Sequence, residues 1–206
     1  MRTKVNIMKQ LARQEMLDTY AKTFKYLNIF MLWMWRLGLG PIINMAPGSI
    51  GQIMVLVHIG RKSGKKCHTP LNYTILDKQV YCMAGFGSQS QWYKNILANP
   101  RVEVWLPDGW WVGQAIEVTV SDNRAETLRS ILIASGFAAP VLEGIYPTEL
   151  NDEELEALLL KHDYRLLRID RTAACTGTGG PGEYAWLWSL ATVWLLLNLW
   201  RKKKTN

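Results

Sequence analysis

Cysteine and histidine are scarce in this 206-residue chain, with three of each. Cys67, Cys82 and Cys175 are odd in number and lack paired metal spacing, which argues for a reducing compartment and against a disulfide framework or a zinc site. His58, His68 and His162 form no cluster with Asp or Glu, so no metal is expected. No Ser-His-Asp set and no carboxylate pair demands acid–base chemistry. No glycine-rich run matches the usual phosphate-loop patterns. An ordinary secretory leader is also missing, because a charged helical segment precedes the first apolar stretch and no small-residue cleavage site follows it.

What is present is positive charge and tryptophan. The net charge of +7 comes mainly from the first 25 residues and from Arg201-Lys202-Lys203-Lys204. A basic excess held at the termini favours an anionic membrane surface over a nucleic-acid groove, so no nucleic-acid partner is expected. Residues 7–25 read as an amphipathic helix, with Ile7, Leu11, Met16, Leu17, Tyr20 and Phe24 on one broad side. Residues 26–43 are almost wholly apolar but contain Arg36. A full span wants about 20 residues, and a central arginine is costly there. Two readings follow. One is an in-plane membrane helix ending at Gly38 to Pro41, with Trp33 and Trp35 at the interface; the other is a helix covering a hydrophobic face of its own domain or of a partner.

The other end has the same character. Residues 173–182, AACTGTGGPG, are composed like a flexible linker. Residues 184–200 hold four tryptophans in an apolar run that predicts a helix of about 25 Å, followed by four basic residues placed as an interfacial anchor would be. So much apolar surface requires either lipid or an extensive partner.

Between these ends the pattern changes to short strands. Ile53 to Ile59 is a glycine-bounded, β-branched run that reads as a buried strand. Further strands are expected over about 68–76, 79–84, 101–106, 110–120 and 164–169, with Asp77-Lys78 and Pro107-Asp108-Gly109 as turns. Helices are expected over about 89–98, capped by Ser88; 123–135, capped by Ser121 or Asp122; and 151–161, capped by Asn151. Tight turns and missing βα crossovers favour an antiparallel sheet or barrel over a doubly wound fold. The first turn, GRKSGKK at 60–66, shows Arg61, Lys62, Lys65 and Lys66 in quick succession among glycines. It is either an anion site built from cations and backbone N–H groups or a solvated hairpin.

GRKSGKKCHTPLNY at 60–73 and GFGSQSQWYKNILANPRVEV at 85–104 together resemble the deazaflavin-dependent nitroreductase family, in a branch with a short glycine-to-tryptophan loop. The likeness covers residues 50–120 well and extends more loosely to 170. It implies a split β-barrel of the FMN-binding kind, often dimeric, using coenzyme F420, with FMN or no cofactor as the alternative. By the resemblance, Arg61, Lys62, Ser63 and Gly64 hold the phosphate or acidic tail, and Thr69, Pro70 and Leu71 line the cofactor channel. Gly85, Phe86, Gly87 and Ser88 approach the ring or its side chain, and Trp92, Tyr93 and Asn95 shape the wall. Lys66, Cys67 and His68 depart from the family's pattern. Taken singly, Trp92 is equally a core anchor of its helix and Pro70 a strand edge.

The expected architecture is mainly β with inserted helices: a split β-barrel plus hydrophobic N- and C-terminal helices. Residues 1–47 form a membrane- or partner-associating segment, 48–172 the deazaflavin-binding barrel, 173–182 a linker and 183–206 the tryptophan-rich helix with its basic tail. The expected activity is hydride transfer from reduced coenzyme F420 to a quinone-like or nitro acceptor. Tyr146 or Tyr164 would donate a hydrogen bond to that acceptor, and no metal takes part. The barrel is expected at a membrane on its cytoplasmic side, partnered by lipid or integral membrane subunits, and as a homodimer. The alternative is a non-catalytic or cofactor-binding accessory subunit of a membrane protein complex.

Overall fold

The computed structural model describes residues 25–47, 51–119, 123–136, 139–140 and 144–205. The amphipathic helix expected over 7–25 and the cap candidates Ser121 and Asp122 therefore fall outside the described residues, apart from Lys25. The chain runs through α1 (25–36), α2 (Gly40–Ile43), β1 (Ile53–Ile59), β2 (Lys66–Leu76) and β3 (Gln79–Ala84). A 3-10 turn at Gly87–Gln89 precedes α3 (Gln91–Ala98), β4 (Arg101–Leu106) and β5 (Gly109–Glu117). Then come α4 (Arg124–Ala134), α5 (Asp152–His162), β6 (Arg165–Ala174) and α6 (Leu187–Thr205).

Local sequence explains most of these limits. The Asp77-Lys78 turn has φ of 48° and 67°, the left-handed pair of a two-residue hairpin whose twist suits its strands. Asn151 caps α5 in a full capping box: its Oδ1 accepts from the Glu154 N–H, and the Glu154 carboxylate accepts from the Asn151 N–H. Ser88 does not cap α3; Ser90 stands at that N-cap, without a side-chain bond, because the intervening residues take the 3-10 turn.

The strands pair antiparallel in the order β1-β2-β3-β6-β5-β4, and β1 returns to β4 to close the barrel. This corrects the expected split barrel: the hydrogen bonding runs continuously around six strands. Alternate side chains fill the interior, among them Met54 and Leu56 from β1, Val80 and Cys82 from β3, Val104 from β4 and Ile169 from β6. Tyr93 and Ile96 of α3 join this cluster. A second cluster packs α4 and α5 with Val118, Tyr164 and Leu166. The third joins Trp35 of α1 to Val55, Val57 and Trp105.

Trp35 is thus the key of α1, 1% exposed. A Cβ on Gly40 would overlap its ring, so the chain can turn from α1 into α2 there only with glycine. The C-terminal stretch meets the same place. Gly182 donates to the Trp35 carbonyl at 2.9 Å, Tyr184 to the Arg36 carbonyl at 2.8 Å, and the Trp188 indole to the Leu37 carbonyl at 2.8 Å.

The membrane expectations are corrected here. Among the described residues no helix is long and apolar enough to cross a membrane. The 26–43 run breaks at Gly38, where φ is +79°, leaving α1 and one short turn of helix. The basic residues 201–204 take up the end of α6, so its apolar part, 187–200, reaches about 21 Å against a hydrocarbon core of about 30 Å. The hydrophobic terminal helices expected as membrane-associating segments, the cytoplasmic-side membrane placement and the lipid or integral-membrane partners drawn from them are withdrawn. Trp35 lies against the barrel instead of at a lipid interface.

Candidate functional site

The β1–β2 connection folds back on itself. Gly60 donates to the Lys65 carbonyl at 2.9 Å, and Gly64 to the Gly60 carbonyl at 2.8 Å. Gly64 has φ of +66°, and a Cβ there would meet no heavy atom within 4 Å, so its backbone faces open space. Arg61, Lys62, Ser63, Gly64 and Lys65 are all exposed. Lys66 is paired with Glu103 at 2.7 Å, whereas among the described residues Arg61, Lys62 and Lys65 have no carboxylate partner. Three uncompensated cations around an open turn make a local positive field.

Arg61 is not free to wander. Its Nη1 donates to Asn95 Oδ1 at 2.8 Å, its Nη2 to Gln91 Oε1 at 2.9 Å, and its backbone N–H to Asn95 Oδ1 at 3.2 Å. Gln91 and Asn95 are four residues apart on α3 and so share a face. All these acceptors are neutral, so the guanidinium is fixed in place while its charge stays unspent. Behind it lies a buried polar pair: Asn95 Nδ2 is 3.3 Å from His58 Nδ1, and His58 Nε2 is 3.1 Å from Thr69 Oγ1. Burial lowers the His58 pKa to about 4, and the nearby His68 lowers it in the same direction.

The remaining predicted site residues distribute around this network. Pro70 is buried and Leu71 packs half-buried against the interior cluster. Trp92 also packs against that cluster, with its ring edge-on to Tyr93 at 6.5 Å. Tyr93 is buried; its hydroxyl donates to Glu117 at 2.8 Å, and burial together with that carboxylate pushes its pKa up to about 12. The glycine loop is fixed from another side. The Ser88 N–H donates to Asp163 Oδ2 at 2.9 Å, and Gly87, at φ +55°, lies so close to the Asp163 carbonyl that a Cβ would overlap it. Gly85 is exposed, and Phe86 exposes 64% of its surface beside this turn.

Arg61, Thr69 and Asn95 are therefore joined in one network with His58. Tyr164 belongs instead to the α4–α5 cluster, its ring stacked on His162 at 5.1 Å, and Tyr146 lies exposed between α4 and α5. Sequence reasoning missed three participants: His58, Gln91 and Asp163. The Gln91/Asn95 spacing was a usable sign, as was His58 sharing strand parity with Met54 and Leu56. The Ser88–Asp163 contact bridges 75 residues and left no local trace.

The sequence pattern of the F420H(2)-dependent quinone reductase family matches residues 35–136. No curated protein matches the chain. Among solved structures, protein Atu2129 of unknown function from Agrobacterium tumefaciens is 17% identical at a TM-score of 0.43; the alignment covers 69% of this chain but only 59% of that protein. The conserved hypothetical protein Rv2991 from Mycobacterium tuberculosis is 19% identical at 0.43, covering 68% and 90% of the two chains. An F420-H2 dependent reductase, FDR-A, is 21% identical at 0.40, covering 57% and 93%. The matched stretch 35–136 begins at Trp35 and takes in the whole network from His58 to Asn95. This chain is thus a distant match to the F420H(2)-dependent quinone reductase family, and that match supports a catalytic, reductase-like role.

Proposed function

We propose that the β1–β2 turn and the adjoining end of α3 hold the acidic tail of coenzyme F420, and that the protein reduces a quinone-like or nitro acceptor. The observation that carries this reading is the Arg61 guanidinium, fixed by Asn95 and Gln91 yet paired with no carboxylate among the described residues. A fixed cation with unspent charge is what a phosphate or glutamyl carboxylate needs, because the ordering cost is met before the ligand arrives. Lys62, Lys65 and the open backbone at Gly64 add cations and an unobstructed approach. This donor set fits an acidic cofactor tail.

A bound reduced deazaflavin supplies the hydride, and the protein's part is binding, orientation and exclusion of water. Arg61, Lys62, Ser63 and Gly64 bind the tail. Thr69 and Leu71, on the inner face of β2, would line the way inward from the turn, with Trp92 and Asn95 on its α3 side, whereas Pro70, opposite Val55, faces the Trp35 cluster. Gly87 and Ser88, held by Asp163, fix the glycine loop, whose Gly85 and Phe86 would meet the ring of a bound deazaflavin. Tyr93 stays a neutral phenol at all ordinary pH, which suits a wall better than an acid.

The test is anaerobic titration of the full chain with reduced coenzyme F420, FMN and FAD, followed by a quinone or nitro acceptor. Stoichiometric binding selective for the deazaflavin, with acceptor-dependent reoxidation, is the expected result. A folded chain that binds none of the three refutes the proposal.

A further inference from the structure

We propose that His58 is a positioning residue for this site. Through a one-way chain of donors from Arg61 to Asn95 to His58 to Thr69, it makes the Thr69 hydroxyl a hydrogen-bond donor to an acceptor oxygen or nitrogen of the bound deazaflavin. The inference rests on the cofactor assignment above and adds a residue to it.

The direction of the chain follows from valence. Asn95 Oδ1 accepts from two Arg61 donors, the backbone N–H at 3.2 Å and Nη1 at 2.8 Å, which fixes the oxygen end of the amide toward Arg61. The amide NH2 must then face His58 Nδ1, 3.3 Å away. An amide nitrogen cannot accept, so Nδ1 accepts and carries no proton. Burial keeps His58 neutral against an opposing backbone hydrogen bond at Ile59, and with Nδ1 accepting from Asn95 the single proton lies on Nε2. Nε2 therefore donates to Thr69 Oγ1 at 3.1 Å, and Thr69 is left with a proton of its own to give.

Among the described residues that proton has no acceptor: the only hydrogen bond of Thr69 Oγ1 is the one it receives from His58. Thr69 is half-buried on β2, in the matched stretch and two residues from Leu71, which packs against the interior cluster. A half-buried hydroxyl with one of its two lone pairs taken by His58 keeps its proton to give to a ligand atom that accepts. With the other histidine tautomer Thr69 would instead be spent on the ring. His58 thus directs Thr69, and its sense is set by the same Arg61 that meets the cofactor tail.

The test uses the full chain in three readouts. First, 15N NMR of labelled histidine should give His58 as the Nε2–H tautomer in the ligand-free protein, and the Nδ1–H tautomer would overturn the inference. Second, calorimetric titration with coenzyme F420 should give Thr69→Val about fivefold to tenfold weaker binding, the size of one lost hydrogen bond, with Thr69→Ser within about twofold of the parent. Third, His58→Phe should weaken binding less in the Thr69→Val background than in the parent, since the two residues share one interaction; equal losses in the two backgrounds would overturn the inference. Equal affinity of parent and Thr69→Val overturns the inference and leaves the cofactor assignment standing. A parent that binds no coenzyme F420 overturns the assignment itself and this inference with it. If His58→Phe fails to fold by urea denaturation, the Thr69 pair and the tautomer decide.

Discussion

Replacing Arg61 by alanine separates the proposed site from an ordinary basic turn. A hydrogen bond to a charged group contributes about 1.5–3 kcal/mol, and each 1.4 kcal/mol is tenfold in affinity. Arg61 is exposed, so the lower half of that range applies, and Arg61→Ala should weaken coenzyme F420 binding about tenfold to thirtyfold. Lys62 is the internal comparison. It carries the same charge one residue on but has no hydrogen-bond partner among the described residues, so ordering its stem on binding offsets most of the gain. Lys62→Ala should therefore cost about fivefold or less. Arg61→Lys should fall between the two, because an ammonium keeps the charge but cannot span Gln91 and Asn95 together. The assay is calorimetric titration at low and high salt, with urea unfolding as a control for the bonds Arg61 makes to α3. Affinity should be less salt-sensitive in Arg61→Ala than in the parent. Arg61→Ala binding within twofold of the parent would refute the reasoning, as would a larger loss from Lys62→Ala.

Three further outcomes test the frame around the site. Trp35→Ala should lower unfolding free energy by about 3–5 kcal/mol, read as a shift of urea midpoint at constant slope. Trp35→Phe should cost only about 1 kcal/mol, since the lost indole N–H has no hydrogen-bond partner among the described residues. Gly87→Ala should destabilise the fold and weaken cofactor binding together, because the new methyl meets the Asp163 carbonyl at a left-handed φ. Hydrogen bonding from Ser88, helped by Arg165, lowers the Asp163 pKa to about 2. The stability this brings is complete above the unfolded value near 4 and is lost as pH falls from about 4 toward 2. Asp163→Asn tolerates the positive φ of 54° and should flatten that acid limb of the urea midpoint.

The strands were legible wherever a hydrophobic run lay between turn residues. Ile53–Ile59, Gln79–Ala84 and Arg101–Leu106 have the bounds their sequences imply. Strand ends without such punctuation were not: β6 runs on to Ala174, past the expected end at 169, because its partners on β5 continue. The Arg61 turn was visible as charge and glycine, but its fixation was not, since Asn95 lies 34 residues away. His58 looked like a stray histidine in an apolar strand. Its meaning comes from partners 11 and 37 residues off, a long-range arrangement that no local pattern encodes. The terminal segments failed for a different reason: tryptophan and leucine content measures how much surface must be covered, not by what. Trp35 is covered by Val55, Val57 and Trp105 of the protein's own barrel.

The docking of residues 182–188 ties the approach to α6 onto α1 through the carbonyls of Trp35, Arg36 and Leu37. Cutting away residues 182–206 removes three donors from the carbonyls of Trp35, Arg36 and Leu37, and so loosens the helix that shields β1 from outside. β1 also carries His58 on its inner side. A shortened protein that lost activity would accordingly report a disturbed strand rather than a missing tail, and deletion mapping of this molecule has to be read with the integrity of β1 measured alongside.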